Sequence, residues 1–445
     1  MPQLPSRVTT GTLLAVAAGV ALRVSDVGIL PRAAAIAAVC LTLWLTGWVR
    51  VWVPTLVLWC ATPLLLGALS PRFGLVAVLQ WSLDPVLALF LAGFAFAAAA
   101  RTCGVDDAIA RFALRAARGS PSRLIVTAAF STVLLAMWMS NVAAAALMLN
   151  AFKPIWDREP ADGALRRALL LGIALAADLG GMATPVGTGA NGIALAAVAA
   201  TRSVTFLHWM VFGVPLAFGM TAAAILLVLR RFPLSSSPNS IVIAAAPGSA
   251  PLRAPIWLSL IFGVTILLWL AAPLHHVPEW IVALAAVATL IIARLISWRE
   301  LMKLDWGTLL LVAGGIALGS LLEESGLVSS LASHLPLAGL PAVALLFGLC
   351  FISALLSSLM SNTATAALLI PLAATVSAAP ATAILVAIAA SFGVPFVVST
   401  PPNAMAVSSG LRAADLFWPG LILMIGGCAL VALTGPWVLN AVGIP

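Results

Sequence analysis

The chain has 445 residues, of which 63% are hydrophobic and 8% charged, with a mean hydropathy of +1.15. This composition excludes an ordinary soluble domain, and the absence of short alternating apolar and polar segments excludes a transmembrane β-barrel. The net charge of +8 does not indicate a nucleic-acid partner, because no basic stretch alternates with aromatics and the arginines sit where apolar runs end.

Apolar runs long enough for membrane helices recur along the chain, which predicts an all-α polytopic membrane protein. Residues 1–31 hold a first helix near 10–29. Met1 to Thr10 is polar and lacks a small-residue cleavage site, so this helix is expected to be retained and not removed as a signal peptide. Further spans fall near 32–49, 51–69, 83–101, 207–229, 254–273, 279–297, 306–322 and 416–440. Polar residues interrupt two more, at 164–200 and 380–409. Two other apolar stretches, 122–152 and 339–378, are too long for one crossing and each carries Ser-Asn at its centre. Both read as re-entrant hairpins, giving about eleven spans plus two hairpins. Gly104 to Arg118 has apolar residues at helical spacing with arginines opposite, the pattern of a helix lying along the membrane surface. Residues 232–253, rich in Ser, Pro, Ala and Gly, read as a linker.

This layout places the basic residues asymmetrically. With the N-terminus in the cytoplasm, all of the 22 Lys and Arg except Arg23, Arg32, Arg72 and Arg202 fall inside. The positive-inside rule then predicts a multi-pass protein of the cell inner (plasma) membrane with its C-terminus outside.

The chain also repeats. Ser140 and Ser361 are separated by 361 − 140 = 221 residues, and Asp84 and Asp305, each opening a span, by 305 − 84 = 221. Ala92-Gly93 and Ala313-Gly314 keep that offset. The halves, 32–231 and 254–445, share the order span, amphipathic segment, hairpin, interrupted span, final span. Each holds an odd number of crossings, so the second half is expected to enter the membrane inverted.

Polar residues mark the same places in both halves. Met139-Ser140-Asn141-Val142-Ala143 is followed by Ala183-Thr184-Pro185-Val186-Gly187-Thr188-Gly189-Ala190-Asn191. Met360-Ser361-Asn362-Thr363-Ala364 is followed by Ser399-Thr400-Pro401-Pro402-Asn403. A broken helix presents free N–H groups at one end and free C=O groups at the other. The first suit an anion and the second suit Na⁺. From Leu124 to Asn150 and from Pro341 to Gly410 there is no Lys, Arg or His. Helix dipoles supply only about half a charge each. A buried anion there needs bound cations as counter-charge, which favours cation–anion co-binding.

On these residues the chain resembles the divalent anion/sodium symporter family of the ion transporter superfamily. The strongest segments are SNTATAALLIPLA (Ser361 to Ala373) and STPPNAMAV (Ser399 to Val407), with weaker counterparts at Met137 to Leu149 and Gly180 to Asn191; Asp84 to Ala99 resembles the family's span before the first hairpin. The resemblance implies a homodimer whose scaffold carries a transport domain that moves as an elevator. It implies Na⁺-coupled symport of small divalent anions: C4-dicarboxylates first, then citrate or sulfate. Carried over by position, it implies that Ser140, Asn141, Ser361, Asn362 and Thr363 contact the anion and that Thr188, Thr400 and Pro401 line its pocket. Asn141 and Gly187 would hold one Na⁺, and Ser357, Asn362 and Ser399 the other.

The first half departs from the family pattern. Val142 replaces a Thr, Ala136 a frequent Ser, and Gly189-Ala190 a Pro-Pro. A site with fewer donors suits a smaller or less charged anion. Asp178 is the one acid well inside an interrupted span, and is a candidate coupling residue or a carboxylate that satisfies broken backbone. Exchange or proton coupling on the same scaffold, and a passive channel, remain open. The chain has no HExxH and no close pair of buried acids. His208, His275, His276 and His334 lie near span ends and the five cysteines are scattered, so neither an enzyme nor a transition-metal site is expected.

Overall fold

The computed structural model describes residues 27–46, 48–160, 162–199, 204–234, 255–334, 341–376 and 379–444. The expected N-terminal helix and linker lie largely outside the described residues. The described residues form twenty-one α-helices and no strand. In the first half these are α1 (Ile29–Thr46), α2 (Val53–Leu66), α3 (Leu75–Ser82), α4 (Val86–Thr102), α5 (Val105–Ala117), α6 (Pro121–Ala136), α7 (Asn141–Trp156), α8 (Ala164–Gly180), α9 (Gly189–Ala199) and α10 (Phe206–Arg231). The second half holds α11 (Pro255–Leu270), α12 (Ala272–His275), α13 (Glu279–Ile292), α14 (Trp298–Leu301), α15 (Trp306–Glu324), α16 (Leu327–His334), α17 (Ala342–Ser357), α18 (Asn362–Val376), α19 (Pro380–Ala390), α20 (Pro401–Ser408) and α21 (Ala413–Ala441).

The repeat read from single residues extends to whole helices. The hairpin arms keep register at both ends: 342 − 121 = 221 and 357 − 136 = 221 for the first arms, 362 − 141 = 221 for the start of the second arms. The same residue types start and stop the paired helices. Asp84 accepts a hydrogen bond from the Val86 amide at 2.8 Å, and Asp305 caps α15 through the Thr308 amide at 3.0 Å. Gly104 (φ 71°) and Gly326 (φ 74°) follow α4 and α15 in the left-handed region, where a Cβ is strained.

By length and composition, α10, α15 and α21 are each apolar and long enough to cross a bilayer, and α3 with α4 forms a fourth candidate bent by 48°. The span expected over 83–101 is the uninterrupted α4, and Leu83-Asp84-Pro85 separates it from α3, because Pro removes a backbone donor and Asp84 caps the new helix. The spans expected at 51–69, 254–273 and 279–297 are helices of 14, 16 and 14 residues. At 1.5 Å per residue the hairpin arms, 15 or 16 residues each, reach about 24 Å, short of a hydrocarbon core of about 30 Å.

The interior is built around α8 and α19. Every residue from Ala168 to Gly180 and from Ala381 to Ala390 is buried, as a helix apolar on all faces must be. Each is flanked by its own hairpin, α6 and α7 on α8, α17 and α18 on α19. The shorter half-helices then cross over: α9 packs on α18 and α19, and α20 packs on α7 and α8. Each half thus completes the surroundings of the other half's break.

At one end of the bundle, Arg167 on α8 grips Asp415 on α21 with both arms of its fork. Nε donates to Oδ2 at 2.7 Å and Nη2 to Oδ1, while the guanidinium lies 4.9 Å from the Phe232 ring centroid. Asp415 is 1% exposed and Arg167 15%, so the pair is largely withdrawn from water. Arg231 reaches the same carboxylate at 3.4 Å but is half exposed. Removing one partner of a buried pair strands the other charge. Arg167→Ala is expected to destabilise the fold by about 3 kcal/mol and Arg231→Ala by less than about 1 kcal/mol. Thermal unfolding of the purified protein checks the order.

Candidate functional site

Three of the four breaks in the paired helices are capped by their own side chains. The Ser140 hydroxyl accepts from the Ala143 amide at 3.3 Å and the Ser361 hydroxyl from the Ala364 amide at 3.2 Å, the same cap at the same turn of α7 and α18. Thr400 caps α20 through the Asn403 amide at 3.3 Å. Each such cap satisfies a helix-terminal donor that has no partner inside its own helix.

Behind the caps, one asparagine per half holds its break together. Asn191 Nδ2 donates to the Gly181 and Thr184 carbonyls at 2.9 and 2.8 Å; Asn403 Nδ2 donates to the Val394 and Phe396 carbonyls at 3.2 and 3.3 Å. Both side chains are fully buried, and each leaves its Oδ1 without a hydrogen-bond partner. In the first half the loop is closed further by Gly187, where a Cβ would collide with the Gly181 backbone. Thr184 Oγ1 donates to the Met137 carbonyl, tying this loop to the first hairpin.

Asp178, near the end of α8, joins the halves. Its Oδ1 accepts from Asn141 Nδ2 at 3.1 Å and its Oδ2 from Thr400 Oγ1 at 2.7 Å. The carboxylate is 1% exposed, and no salt bridge among the described residues reaches it. On the other side of the crossover, Gly189 lies directly against Thr363; a Cβ there would strike the Thr363 side chain and Val312. Both hairpin tips therefore meet the opposite half.

The second Ser-Asn-Thr tip is the more enclosed. Asn362 and Thr363 are buried, and Ser357 Oγ donates to Asn362 Oδ1 at 2.7 Å. The equivalent of Ser357 is Ala136, and both face a glycine: a Cβ on Gly180 would meet Ala136, and one on Gly393 would meet Ser357. Without that serine, among the described residues the Asn141 Oδ1 accepts only from the adjacent Val142 amide, at 3.0 Å. Thr188, Ser399 and Thr400 are buried, Ser140 and Asn141 half-buried, and Ser361, Pro401 and Val142 exposed.

The sequence-derived residues are thus only partly joined by direct bonds. Asn141, Asp178 and Thr400 form one chain, and Ser357 with Asn362 another. Ser399 Oγ instead accepts from the Phe396 amide at 3.1 Å, and Gly187 donates to the Thr184 carbonyl at 3.3 Å. Among the described residues, no hydrogen bond joins Ser399 to Asn362 or Gly187 to Asn141. Sequence reasoning missed Asn191, Asn403 and Gly189 as site residues. The signal was present for the asparagines, since each ends a polar break and 403 − 191 = 212 matches 401 − 189 = 212 for the starts of α20 and α9.

Chemically, the arrangement offers hydroxyl and amide donors to an anion. The two unsatisfied amide oxygens and the break carbonyls are hard ligands of the kind Na⁺ takes. No group of three or more His, Cys, Asp or Glu with metal-binding geometry occurs among the described residues.

Known proteins agree with a transporter. The fold is similar to that of the Alcanivorax borkumensis YdaH transporter, with a TM-score of 0.57 over 84% of this chain and 89% of that one, at 18% identity. The chain is 30% identical over 410 residues to an uncharacterized transporter of Haemophilus influenzae, covering 84% of this chain and 86% of that one. It is 26% identical over 450 residues to the sodium-dependent dicarboxylate transporter SdcS of Staphylococcus aureus, covering 90% and 86%. These relatives are transporters and not enzymes. The CitMHS model, described as citrate transporter, matches residues 41–382. The chain, a polytopic all-helical membrane protein, belongs to this citrate transporter family.

Proposed function

We propose that the chain is a sodium-coupled symporter of small divalent anions, with C4-dicarboxylates as the principal substrates. The observation that carries this reading is the link from the first Ser-Asn tip, through Asn141 and Asp178, to Thr400 in the second half's break, with no Lys, Arg or His from Leu124 to Asn150 or from Pro341 to Gly410. Ser140, Asn141, Ser361, Asn362 and Thr363 offer donors to the anion, and Thr188, Thr400 and Pro401 border it. Asn141 and Gly187 serve one Na⁺; Ser357, Asn362 and Ser399 serve the other. With only helix termini and neutral side chains to hold a dianion, co-bound Na⁺ supplies the missing positive charge. The sodium-dependent dicarboxylate transporter among the relatives supports the same substrate class and coupling ion.

Residues 32–231 and 254–445 are inverted repeats, and the hairpins with the broken helices form a unit that carries the site across the membrane by an elevator motion. The functional form is a homodimer in the cell inner membrane, with the N-terminus in the cytoplasm and the C-terminus outside. A second reading, exchange or proton-coupled transport on this scaffold, is favoured by one feature, the Asp178 carboxylate inside the first half's site.

Uptake of radiolabelled succinate into proteoliposomes separates these readings. An inward Na⁺ gradient is expected to raise the initial rate at least about tenfold over a K⁺ control; uptake indifferent to Na⁺ contradicts sodium symport. Asn362→Ala removes the partner of Ser357 together with an amide at the second tip. It is expected to lower uptake at least about tenfold while the unfolding temperature stays within a few degrees of wild type. Normal uptake by this variant contradicts the site assignment.

A further inference from the structure

The helices α11 and α13 follow one another through a short turn, pack together and, with α4, lie away from the helix breaks. Their outer faces leave a groove of about 690 Å³. It is lined from Trp257 to Leu268 on α11 and from Ile281 to Ala293 along α13, so it follows both helices for nearly their whole length. From Ile281 to Ala293 the rise is about 18 Å at 1.5 Å per residue, a little more than half of a hydrocarbon core of about 30 Å.

The threonine and histidine side chains of this groove are already engaged. Thr265 and Thr289 each donate to a carbonyl of their own helix, Ile261 and Ala285, at 2.7 Å. At the turn end, His275 Nε2 lies 2.8 Å from the Leu268 carbonyl and its Nδ1 accepts from the Val277 amide at 3.0 Å. Such a lining suits hydrocarbon and gives a polar solute little to bind.

The opposite end differs. Arg294 follows Ala293 directly, and Arg299 and Lys303 come within the next ten residues, 303 − 293 = 10; all three are exposed. Among the described residues none of them forms a salt bridge. The neighbouring acids cap helices: Glu300 accepts from the Ser297 amide at 2.6 Å and Asp305 from the Thr308 amide at 3.0 Å. Thr102 Oγ1 donates to the Leu295 carbonyl at 3.2 Å, which brings the end of α4, with exposed Arg101, to the same turn. Ile292, Trp298 and Met302 stand 81%, 72% and 55% exposed among these bases. Aromatic and basic side chains together mark a membrane–water boundary. The charge asymmetry assigns this end to the cytoplasm, where the leaflet carries anionic headgroups.

Charge selects the occupant. In a two-fold dimer both copies share one orientation in the membrane, so a second copy seated on the groove would bring its own Arg294, Arg299 and Lys303 to the same height as the first set. An anionic headgroup is complementary to that cluster. We propose that the groove between α11 and α13, with Arg294, Arg299 and Lys303 at its mouth, binds one anionic phospholipid, its acyl chain in the groove and its phosphate among the basic side chains. This site is separate from the proposed anion site and does not depend on the transported substrate.

Native mass spectrometry of the full-length protein in nonionic detergent tests this with phosphatidylglycerol and phosphatidylcholine of identical acyl chains. Wild type is expected to bind phosphatidylglycerol at least about tenfold more tightly, given three basic residues at the mouth. The variant Arg294→Asn/Arg299→Gln/Lys303→Gln is expected to lose that preference; asparagine suits the left-handed backbone at residue 294, φ 56°. Arg115→Gln/Arg118→Asn/Arg123→Gln removes the same charge from another surface on that side and is expected to keep it. Ala285→Trp, which fills the groove, is expected to weaken both lipids. Every replaced residue is exposed, and thermal unfolding checks that each variant is folded. Equal binding of the two lipids by wild type overturns the inference, as does a preference kept by the first variant or lost equally in both triple variants. Lipid binding unchanged by Ala285→Trp also overturns it, with a dimer lost in that variant assigning the groove to a second copy. Displacement of phosphatidylglycerol by inorganic phosphate overturns it in favour of a site for the free ion.

Discussion

A helix that stops inside an apolar interior leaves N–H and C=O groups that water cannot reach, and each one left unpaired costs several kcal/mol. This protein stops four helices in that way, at Ala136, Gly180, Ser357 and Ala390. Much of what is distinctive about its centre is a response to that constraint. Ser140, Ser361 and Thr400 cap the restarted helices, and Asn191 and Asn403 bind the carbonyls between. Each repair uses a small neutral side chain, so the centre stays polar without fixed positive charge. In the proposed function that combination calls for cations beside the anion, so the proposed coupling follows from the backbone geometry.

The halves are alike in sequence offset and unlike in chemistry. In the second, Ser357 orients Asn362, and the Thr363 hydroxyl stands free beside Gly189. In the first, Ala136 and Val142 remove both hydroxyls, and Asp178 takes up the Asn141 amide instead. The carboxylate also spans to Thr400, so the substitution that weakens the first half as a neutral site strengthens the link between the halves.

Much of this was legible in the sequence. The Ser-Asn pairs and their 221-residue offset placed both helix pairs to within about four residues at their outer ends, because a Ser-Asn pair within a long apolar run has few structural explanations. The amphipathic segment, Gly104 to Arg118, became α5 because its period is helical and its ends are marked by glycine and arginine. Contacts across the halves were not legible. Asp178 and Thr400 are 222 residues apart, and Gly189 meets Thr363 through shape alone; neither leaves a periodic trace. The start of the span after Leu83-Asp84-Pro85 was legible, since Asp84 opens it and Pro85 follows; the preceding helix, Leu75–Ser82, was not. Span lengths were overestimated where hydropathy outlasted the helix, as at α2, which ends beside Gly67.

The central claim is that breaks from both halves enclose one anion site. It is tested most directly by electron cryomicroscopy of the full-length protein in lipid nanodiscs with Na⁺ and a saturating C4-dicarboxylate. The account predicts one ligand density bounded by Ser140-Asn141 on one side and Ser361-Asn362-Thr363 on the other. Density touched by residues of a single half, or lying outside the crossing of α9 and α20 with the hairpins, would contradict it.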